Sequence, residues 1–338
     1  MSNADILKIR QNMPLVDKVL KTKLVLKQFI ESHGGEDGCY VSFSGGKDSV
    51  ALAFLVSTPM KHLFPEFPHP DLDLCWPNIP WVFANTGVEF PDIVQFVKSL
   101  SDNHPIEVIL PSMTFRQVVK KYGYPVISKE QSQFIREART TKSSKLRDIR
   151  VNGRENGRSK ISEKWKFYLN PETPMVSHMC CFKLKKDPFK KYEKATGRVG
   201  ILGTMAEESQ LRAQQYNKHG CVIENKDRTL CTPMGFWKTQ DVWDIIHKGN
   251  FPYCQIYNEP GIERTGCSGC MFGVTSLERF EKFRYLAKTY PKWFWVYWEI
   301  NGMKDHFRLI TGLEFPPWVF EEGFEIIRGM INAKPPTE

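Results

Sequence analysis

Residues 44–49 read SGGKDS; the run Tyr40–Phe43 (YVSF) precedes them and the apolar run Val50–Leu55 (VALAFL) follows. This order predicts a strand, a glycine turn and the start of a helix. The two glycines let backbone N–H groups approach an anion closely, and the helix N-terminus adds the positive end of its dipole. The stretch therefore predicts a phosphate cradle. The plainer alternative is a Gly-Gly turn with a Ser or Asp helix cap.

Apolar runs that alternate with helical patterns extend this strand–turn–helix unit into a fold. The predicted strands are 40–43, 81–84, 106–110 and 198–203, and the predicted helices include 14–32 and 90–100. Such alternation is typical of an α/β protein with a doubly wound, mostly parallel sheet, which binds ligands at the carboxyl ends of its strands. After about residue 275 the chain is aromatic and helical, which we interpret as packing surface rather than a nucleic-acid platform.

We expect three consecutive regions along the 338 residues. They are a helical segment 1–36, a nucleotide-binding α/β domain 37–245 with a basic insertion, and a region 246–338 with a cysteine loop and helices. The tail 333–338 is expected to be disordered. The sequence shows no signal peptide and no long apolar run, so we expect a cytoplasmic protein without membrane contact.

The net charge of +9 is concentrated in one segment. Between Arg136 and Lys166 there are eleven Lys or Arg and four Asp or Glu, a local excess of seven. The segment is rich in Gly, Asn and Ser, which predicts a mobile loop or insertion. It could contact the phosphates of a nucleic acid, DNA or tRNA, or it could be a solvated loop.

Nine cysteines in a chain of this kind favour metal binding or catalysis over disulfides. Two groups stand out: the pair Cys180-Cys181 and the Cys-x-x-Cys formed by Cys267 and Cys270. Together they could hold an iron–sulfur cluster, with a structural zinc ion as the main alternative and buried reduced thiols as the plainest one. The nearby lysines 183, 185 and 186 favour thiolates. Cys254 is a weaker candidate ligand.

Several stretches, in order, resemble the phosphoadenosine-phosphosulfate (PAPS) and adenosine-phosphosulfate (APS) reductase family within the PP-loop ATP pyrophosphatase superfamily. They are SGGKDS at 44–49, FANTGVEFP at 83–91, CCFKLKKDP at 180–188, GTMAEESQLR at 203–212, WKTQDVW at 237–243 and GCSGC at 266–270. The resemblance covers about residues 38–272. It implies an adenine nucleotide alpha hydrolase-like fold and sulfur chemistry on a nucleotide.

The chain also departs from the reductases of this family. Those enzymes carry a C-terminal cysteine that attacks sulfur, whereas no cysteine occurs in the 68 residues after Cys270. Met205 and Leu184 stand where the family has arginines, and Asn85 where it has an aspartate. The resemblance is therefore closest in character to the members that use ATP to install sulfur, such as the ATP pyrophosphatase of DNA phosphorothioation. An APS or PAPS reductase, or a non-catalytic cluster-bearing subunit, is the alternative.

The resemblance implies ATP, Mg²⁺ and a [4Fe-4S] cluster, with each site assigned to residues of this chain. The expected catalytic residues are Lys47, Asp48 and Arg212. The expected nucleotide-binding residues are Ser44, Gly45, Gly46, Lys47, Ser49, Thr86, Gly87 and Glu208, with Glu208 orienting Arg212. The expected cluster ligands are Cys180, Cys181, Cys267 and Cys270. A cysteine desulfurase is the expected sulfur donor, and a homodimer is compatible with the sequence.

Overall fold

A computed structural model describes residues 2–67, 74–225, 228–273 and 277–321. The chain divides into two compact units that interleave along the sequence. The sheet unit comprises residues 1–85, 91–109 and 189–255, and the cysteine unit comprises 86–90, 110–188 and 256–338. This division differs from the three consecutive regions expected from the sequence, because residues 110–188 cluster with the C-terminal segment. The expected disorder at 333–338 falls outside the described residues.

The sheet unit contains a six-stranded sheet. Its strands are β1 (Cys39–Phe43), β2 (Trp81–Ala84), β3 (Ile106–Ile109), β5 (Val199–Leu202), β6 (Val222–Asn225) and β7 (Arg228–Cys231). They lie in the order β3-β2-β1-β5-β7-β6. All neighbouring strands are parallel except β6 and β7, which form an antiparallel pair at one edge. The predicted doubly wound, mostly parallel α/β fold is confirmed.

The helices that accompany this sheet are α1 (Asn3–Gln11), α2 (Leu15–Ser32), α3 (Lys47–Ser57), α4 (Met60–Leu63), α5 (Pro91–Leu100), α9 (Asp187–Thr196), α10 (Gln210–His219) and α11 (Thr239–Lys248). Of these, α2, α3 and α5 lie where the sequence pattern predicts helices. The ammonium group of the fully buried Lys23 on α2 donates to three carbonyl oxygens, those of Leu55, Thr58 and Leu74. The carbonyl oxygens of Leu55 and Thr58 lie at the C-terminal end of α3, so two of these bonds satisfy acceptors of the helix that begins in the glycine turn.

The cysteine unit is mainly helical. Its helices are α6 (Phe115–Tyr122), α7 (Lys129–Thr140), α8 (Ser144–Asn152), α12 (Leu277–Thr289), α13 (Pro291–Trp295), α14 (Met303–Thr311) and α15 (Trp318–Glu321). Two π-helical segments, Cys181–Lys186 and Val296–Ile300, interrupt the regular helices. A small parallel pair, β4 (Val126–Ile127) and β8 (Met271–Phe272), ties the start of α7 to the Cys-x-x-Cys segment.

Aromatic side chains form the core of the C-terminal part. Phe294 stacks on Trp298 with ring centroids 5.6 Å apart, and Trp318 meets Phe294 edge-on at 5.7 Å. Phe294 and Trp298 are fully buried. These buried rings agree with the packing interpretation, whereas Trp293 on α13 is exposed. No helix in the described ranges is long and apolar enough to cross a membrane.

The basic segment is not the loop that its composition predicted over residues 136–152. Serine side chains cap both of its helices, Ser128 on α7 and Ser143 on α8. Arg139 donates to the carbonyl oxygens of residues 168, 171, 173 and 174, and Arg150 pairs with Glu137 at 2.6 Å. The loop prediction was wrong for these residues, because side-chain caps and internal contacts of Arg139 and Arg150 hold them as helices. The alternative, an insertion, stays a prediction.

Candidate functional site

The glycine turn after β1 has the geometry of a phosphate cradle. Gly45 has a φ of +71°, a left-handed conformation that glycine adopts without steric cost, and α3 begins two residues later at Lys47. The first-turn amides of a helix have no acceptor within the helix, and with the helix dipole they form an environment that suits an anion. The sequence prediction of strand, turn and helix start matches this arrangement.

Serine hydroxyls brace the turn from inside. The N–H of Ser44 donates to Ser49 Oγ at 3.1 Å, and Ser49 Oγ–H donates to the carbonyl oxygen of Gly46 at 2.8 Å. Ser44 Oγ lies 3.0 Å from Ser49 Oγ and accepts from the N–H of Gly46 at 3.3 Å. The hydroxyl of Ser49, which we expected to contact the nucleotide, thus holds the shape of the loop.

Close packing fixes the turn from outside. A Cβ atom on Gly45 would lie 2.8 Å from a methyl group of Val97 and 2.9 Å from one of Ile93, both on α5. A Cβ atom on Gly203, directly after β5, would lie 2.7 Å from the carbonyl oxygen of Asp48. Side chains at these positions do not fit, so the loop rests directly on α5 and on the end of β5.

Lys47 and Asp48 form a charged pair at the start of α3. The ammonium nitrogen of Lys47 lies 3.0 Å from Asp48 Oδ1, and the lysine is only 2% exposed. A buried lysine needs such a partner, because removal of its charge from water is costly. The carboxylate of Asp48 is about a quarter exposed, so a cation in solution can reach it.

Arg212 and Glu208 meet as the sequence predicted. The guanidinium of Arg212 on α10 contacts Glu208 Oε1, which also accepts from the N–H of Met205 at 3.0 Å. A cavity of about 20 Å³ lies beside Arg212 within the sheet unit. That volume holds about one water molecule. The ion pair therefore lies at the start of α10, and it holds the guanidinium of Arg212 in place.

In the cysteine unit, Thr86 and Glu89 form a closed turn around Gly87. Glu89 accepts from the Thr86 N–H at 3.0 Å and from the Thr86 hydroxyl at 2.7 Å. Lys185 Nζ lies 3.9 Å from the nearly buried carboxylate of Glu89. Sequence reasoning gave Glu89 no role, although its spacing of three residues from Thr86 was a signal for this turn.

Two buried tyrosines brace the Cys-x-x-Cys turn. Tyr124 donates to the carbonyl oxygen of Gly269 at 2.8 Å, and Tyr297 Oη lies 3.0 Å from Ser268 Oγ. The N–H of Phe272 points at Cys270 Sγ, with a distance of 3.5 Å. Hydrogen bonds from amides to cysteine sulfur are a common feature of iron–sulfur sites. No sequence signal marked the two tyrosines, because they are distant along the chain.

The four paired cysteines act on one another electrostatically. A hydrogen bond from the Cys180 thiol lowers the pKa of Cys181, and the positive charges of Lys129, Lys185 and Lys186 lower it further against the effect of burial. The same bond and burial raise the pKa of Cys180, which the charges of Cys270 and Cys267 raise further. Burial raises the pKa of Cys267. The two cysteine groups thus share one local field.

Lys185 belongs to this field. The negative charge of Cys267 raises the pKa of Lys185, and that of Glu89 raises it further, while burial opposes both. A permanent positive charge beside thiolates stabilises them and offsets the negative charge of a bound cluster. The π-helix that begins at Cys181 places this lysine, and such segments occur frequently at functional sites.

Four cysteine sulfurs are the donor set of an iron–sulfur cluster. The electrostatic coupling of the thiols, the N–H of Phe272 directed at Cys270 Sγ and the positive charge of Lys185 also fit such a cluster. Within the described ranges, however, no three His, Cys, Asp or Glu side chains already stand at metal-binding spacing. The chemistry of the donors therefore fits a cluster, and its assignment remains a proposal. Five cysteines remain, all in the sheet unit: Cys75 is half-buried, and Cys39, Cys221, Cys231 and Cys254 are buried. Burial raises the pKa values of Cys39, Cys221 and Cys231.

Comparison with known families gives a match across both sites. The phosphoadenosine phosphosulfate reductase domain matches residues 38–272, a range that contains the glycine turn and all four paired cysteines. The chain belongs to the phosphoadenosine phosphosulfate reductase family. Membership supports nucleotide-related sulfur chemistry at the level of the family, and an enzyme that acts on nucleotides.

Individual relatives are more distant. The chain is 24% identical over 295 residues to the uncharacterized protein MJ0973 of Methanocaldococcus jannaschii, covering 85% of this chain and 54% of the relative. It is 25% identical over 271 residues to MJ0066 of the same organism, covering 79% and 41%. The chain thus spans about half the length of these curated relatives. A crystal structure of PAPS reductase from Candida auris in complex with phosphate aligns with 12% identity and a TM-score of 0.41, covering 73% of this chain and 87% of that one.

Proposed function

We propose that this family member is an ATP pyrophosphatase that activates an acceptor by adenylylation, so that sulfur can replace the activated oxygen. In this reaction an acceptor oxygen attacks the α-phosphorus of ATP, the bond to the β-phosphate breaks, and pyrophosphate leaves. The observation that carries the proposal is the turn at Gly45, with its left-handed φ and the start of α3 at Lys47. Oriented amides and a helix N-terminus suit a leaving pyrophosphate.

The chain's own residues would position the phosphates. The amides of Gly45, Gly46 and Lys47 would hold the β- and γ-phosphates, and the ammonium of Lys47 would exchange part of its contact with Asp48 for the ATP. Asp48 would then be free to ligate Mg²⁺, since carboxylate oxygen is a ligand that this ion prefers. Arg212 would add a further positive charge. Such chemistry depends mainly on positioning and charge neutralisation.

Two buried side chains favour ATP over a sulfonucleotide. Met205 and Leu184, which stand where the reductases have arginines, are 1% and 3% exposed. Both are apolar, so neither supplies a charge to a phosphosulfate group. A phosphosulfate group bound as in the reductases would therefore lack two charge-assisted contacts in this chain.

We propose a [4Fe-4S] cluster on Cys180, Cys181, Cys267 and Cys270. When bound, it would supply the redox and sulfur-handling chemistry that replacement of the activated oxygen requires. Tyr124 and Tyr297 hold the turn that carries two of these cysteines, and Lys185 holds a positive charge beside them. The acceptor that we propose is nucleic acid, with a cysteine desulfurase as the sulfur source.

Pyrophosphate release tests this function. Anaerobically purified protein is incubated with ATP and Mg²⁺, alone and with duplex DNA, single-stranded DNA or tRNA. We expect release that one nucleic acid stimulates, and a loss of about a hundredfold or more in Lys47→Ala. Lys21→Ala, a change of a lysine on α2, is the matched control and should leave the rate unchanged.

Two results would contradict the proposal. One is the absence of pyrophosphate with every acceptor. The other is sulfite release from APS or PAPS in the presence of a thiol reductant, which would identify a reductase instead. A protein that binds ATP but turns over neither substrate would be a non-catalytic cluster-bearing subunit.

A further inference from the structure

A cavity of about 470 Å³ lies in the cysteine unit beside the cysteine pair. Its lining residues come from α7 and from the segment around the cysteines, and they are Lys129, Gln133, His178, Met179, Phe182 and Lys186. The volume falls within the range of small-molecule sites and suffices for one nucleotide. None of these six residues belongs to the phosphate cradle or to the four paired cysteines.

The mouth of this cavity is positively charged. Lys129 and Lys186 line it, and the ammonium of Lys183 lies 5.4 Å from the ring centroid of Phe182. Glu137 is an acidic group near the wall, and it accepts from Arg150 at 2.6 Å and from Gln133 Nε2 at 2.8 Å. The local field therefore favours an anion such as a phosphodiester.

The wall of the cavity suits a planar heterocycle. Met179 and Phe182 contribute apolar surface, and the cavity lining is more apolar than polar. The Nδ1 atom of His178 is buried and has no hydrogen-bond partner in the described part of the chain. A nucleobase offers both a π-face for the aromatic ring and a polar edge for this nitrogen. A free phosphate would leave both unused.

We infer that this cavity binds one unstacked nucleotide of a single-stranded nucleic acid, with its phosphate at Lys129 and Lys186 and its base against Phe182 and Met179. The inference rests on the proposed function, because it names the acceptor of the same reaction. Continuity with the basic segment favours a polynucleotide over a free nucleotide. Arg136 lies on α7 one turn beyond Gln133, and α8 extends the positive charge further.

Binding without ATP tests the inference. Fluorescence anisotropy measures the Kd of a labelled twelve-nucleotide single strand, as DNA and as RNA, and of the corresponding duplex. We expect the single strand to bind most tightly, and Lys129→Ala with Lys186→Ala to weaken it at least tenfold and to reduce the salt slope by about two. Phe182→Leu should weaken it about tenfold through lost stacking. Lys292→Ala, at an exposed lysine of α13, should change nothing.

Unchanged affinity in the double variant would overturn the inference. Lys186 and Phe182 lie close to Cys181, so iron content is measured for each variant. Lys129→Ala is also tested alone, and its iron content is measured as well, because the charge of Lys129 acts on Cys181. With its iron retained, this variant should weaken binding severalfold and reduce the slope by about one.

Cross-linking gives the position of the base. A single strand with one 4-thiouridine is irradiated, and the linked peptide is identified by mass spectrometry. Linkage to the peptide with Met179 and Phe182 is expected, whereas linkage confined to residues 142–166 would overturn the inference. A free mononucleotide that displaces the strand at micromolar concentration would also overturn it, since the ligand would then be a free nucleotide.

The two proposals fail separately. Intact pyrophosphate release that depends on Lys47, combined with unaltered strand binding in the Lys129 and Lys186 variants, removes only the cavity assignment. Tight single-strand binding that depends on these lysines, without pyrophosphate release, removes only the ATP-dependent function.

Discussion

The glycine turn at Gly45 and the cysteine turn at Gly269 are both built around a glycine that tolerates no side chain, but they are held in different ways. Around Gly45 the hydrogen bonds join residues 44, 46 and 49, which are at most five positions apart. Around Gly269 the braces come from Tyr124, 145 positions away, and from Tyr297. One turn is specified locally and the other by the assembled fold.

This difference determines which functional group each turn can support. A phosphate cradle needs oriented backbone amides, which a short stretch with a glycine and a helix start provides by itself. A cluster site needs four sulfurs from separate segments, and their positions depend on packing between those segments. Changes at Gly45 should therefore act through backbone strain and close packing together, and changes at Gly269 through its contacts with distant residues.

The largest effect is expected for Gly45→Ala. The φ of +71° costs an alanine about 1 kcal/mol, and the contacts with Val97 and Ile93 add about 1 to 3 kcal/mol of overpacking. The free energy of unfolding should fall by about 2 to 4 kcal/mol, measured by urea denaturation, and ATP binding should be lost.

The matched control is Gly35→Ala. Gly35 has the same φ of +71°, but a Cβ atom added there would have no other atom within 4 Å. Its cost should be about 1 kcal/mol, with ATP binding intact. Equal losses at both positions would contradict the claim that α5 packs against the cradle.

A smaller effect is expected for Gly269→Ala. The new Cβ would lie 2.4 Å from the buried ring of Tyr297, although the backbone here carries no left-handed strain. Overpacking should cost about 1 to 3 kcal/mol and displace the tyrosine, so iron content after anaerobic purification should fall. Gly266→Ala, with φ of +62° and open space around it, should lose stability but keep its iron. The reverse ranking in iron content would refute the role of Tyr297.

The same contrast explains which parts of the molecule the sequence predicted. β1, the turn and α3 lie within residues 39–57, and their order follows from local periodicity and glycine chemistry. The edge strand β6, its neighbour β7 and the short pair β4 and β8 were missed. The first two contain only two apolar residues each, and the other two are only two residues long, so none gives a clear apolar run.

The contacts of charged side chains were harder to predict from the sequence than the order of strands and helices. The segment around Arg139 and Arg150 was predicted as a loop, since composition does not show that an arginine donates to carbonyl oxygens or pairs with Glu137. The thiol pairs were found from their spacing. The cavity beside them was not found, because Lys129 and His178 meet only in the folded chain.

An intermediate effect is expected for Tyr124→Phe. Loss of the hydroxyl leaves the buried carbonyl oxygen of Gly269 without its 2.8 Å hydrogen bond, which should cost about 1 to 2 kcal/mol in urea denaturation. Tyr122→Phe changes a half-buried tyrosine on α6 and should stay within about 0.5 kcal/mol. If the two variants lose the same stability, the Cys-x-x-Cys turn does not depend on its distant brace.

The smallest effect on stability is expected for Arg212→Gln. The guanidinium is 40% exposed, and its contact with Glu208 is an i,i+4 pair, a type that contributes about 0.3 to 0.5 kcal/mol. In this variant the carboxylate of Glu208 still accepts the hydrogen bond from the Met205 N–H, which measures 3.0 Å, so it is not left without a donor. Urea denaturation should therefore show a loss within about 0.5 kcal/mol. Pyrophosphate release should nevertheless fall about tenfold or more, because the charge assigned to a phosphate is gone. Arg212→Lys retains the charge and should recover part of the rate. A stability loss above about 1.5 kcal/mol with an unchanged rate would mean that the pair only supports the start of α10, as a locally specified contact like those around Gly45.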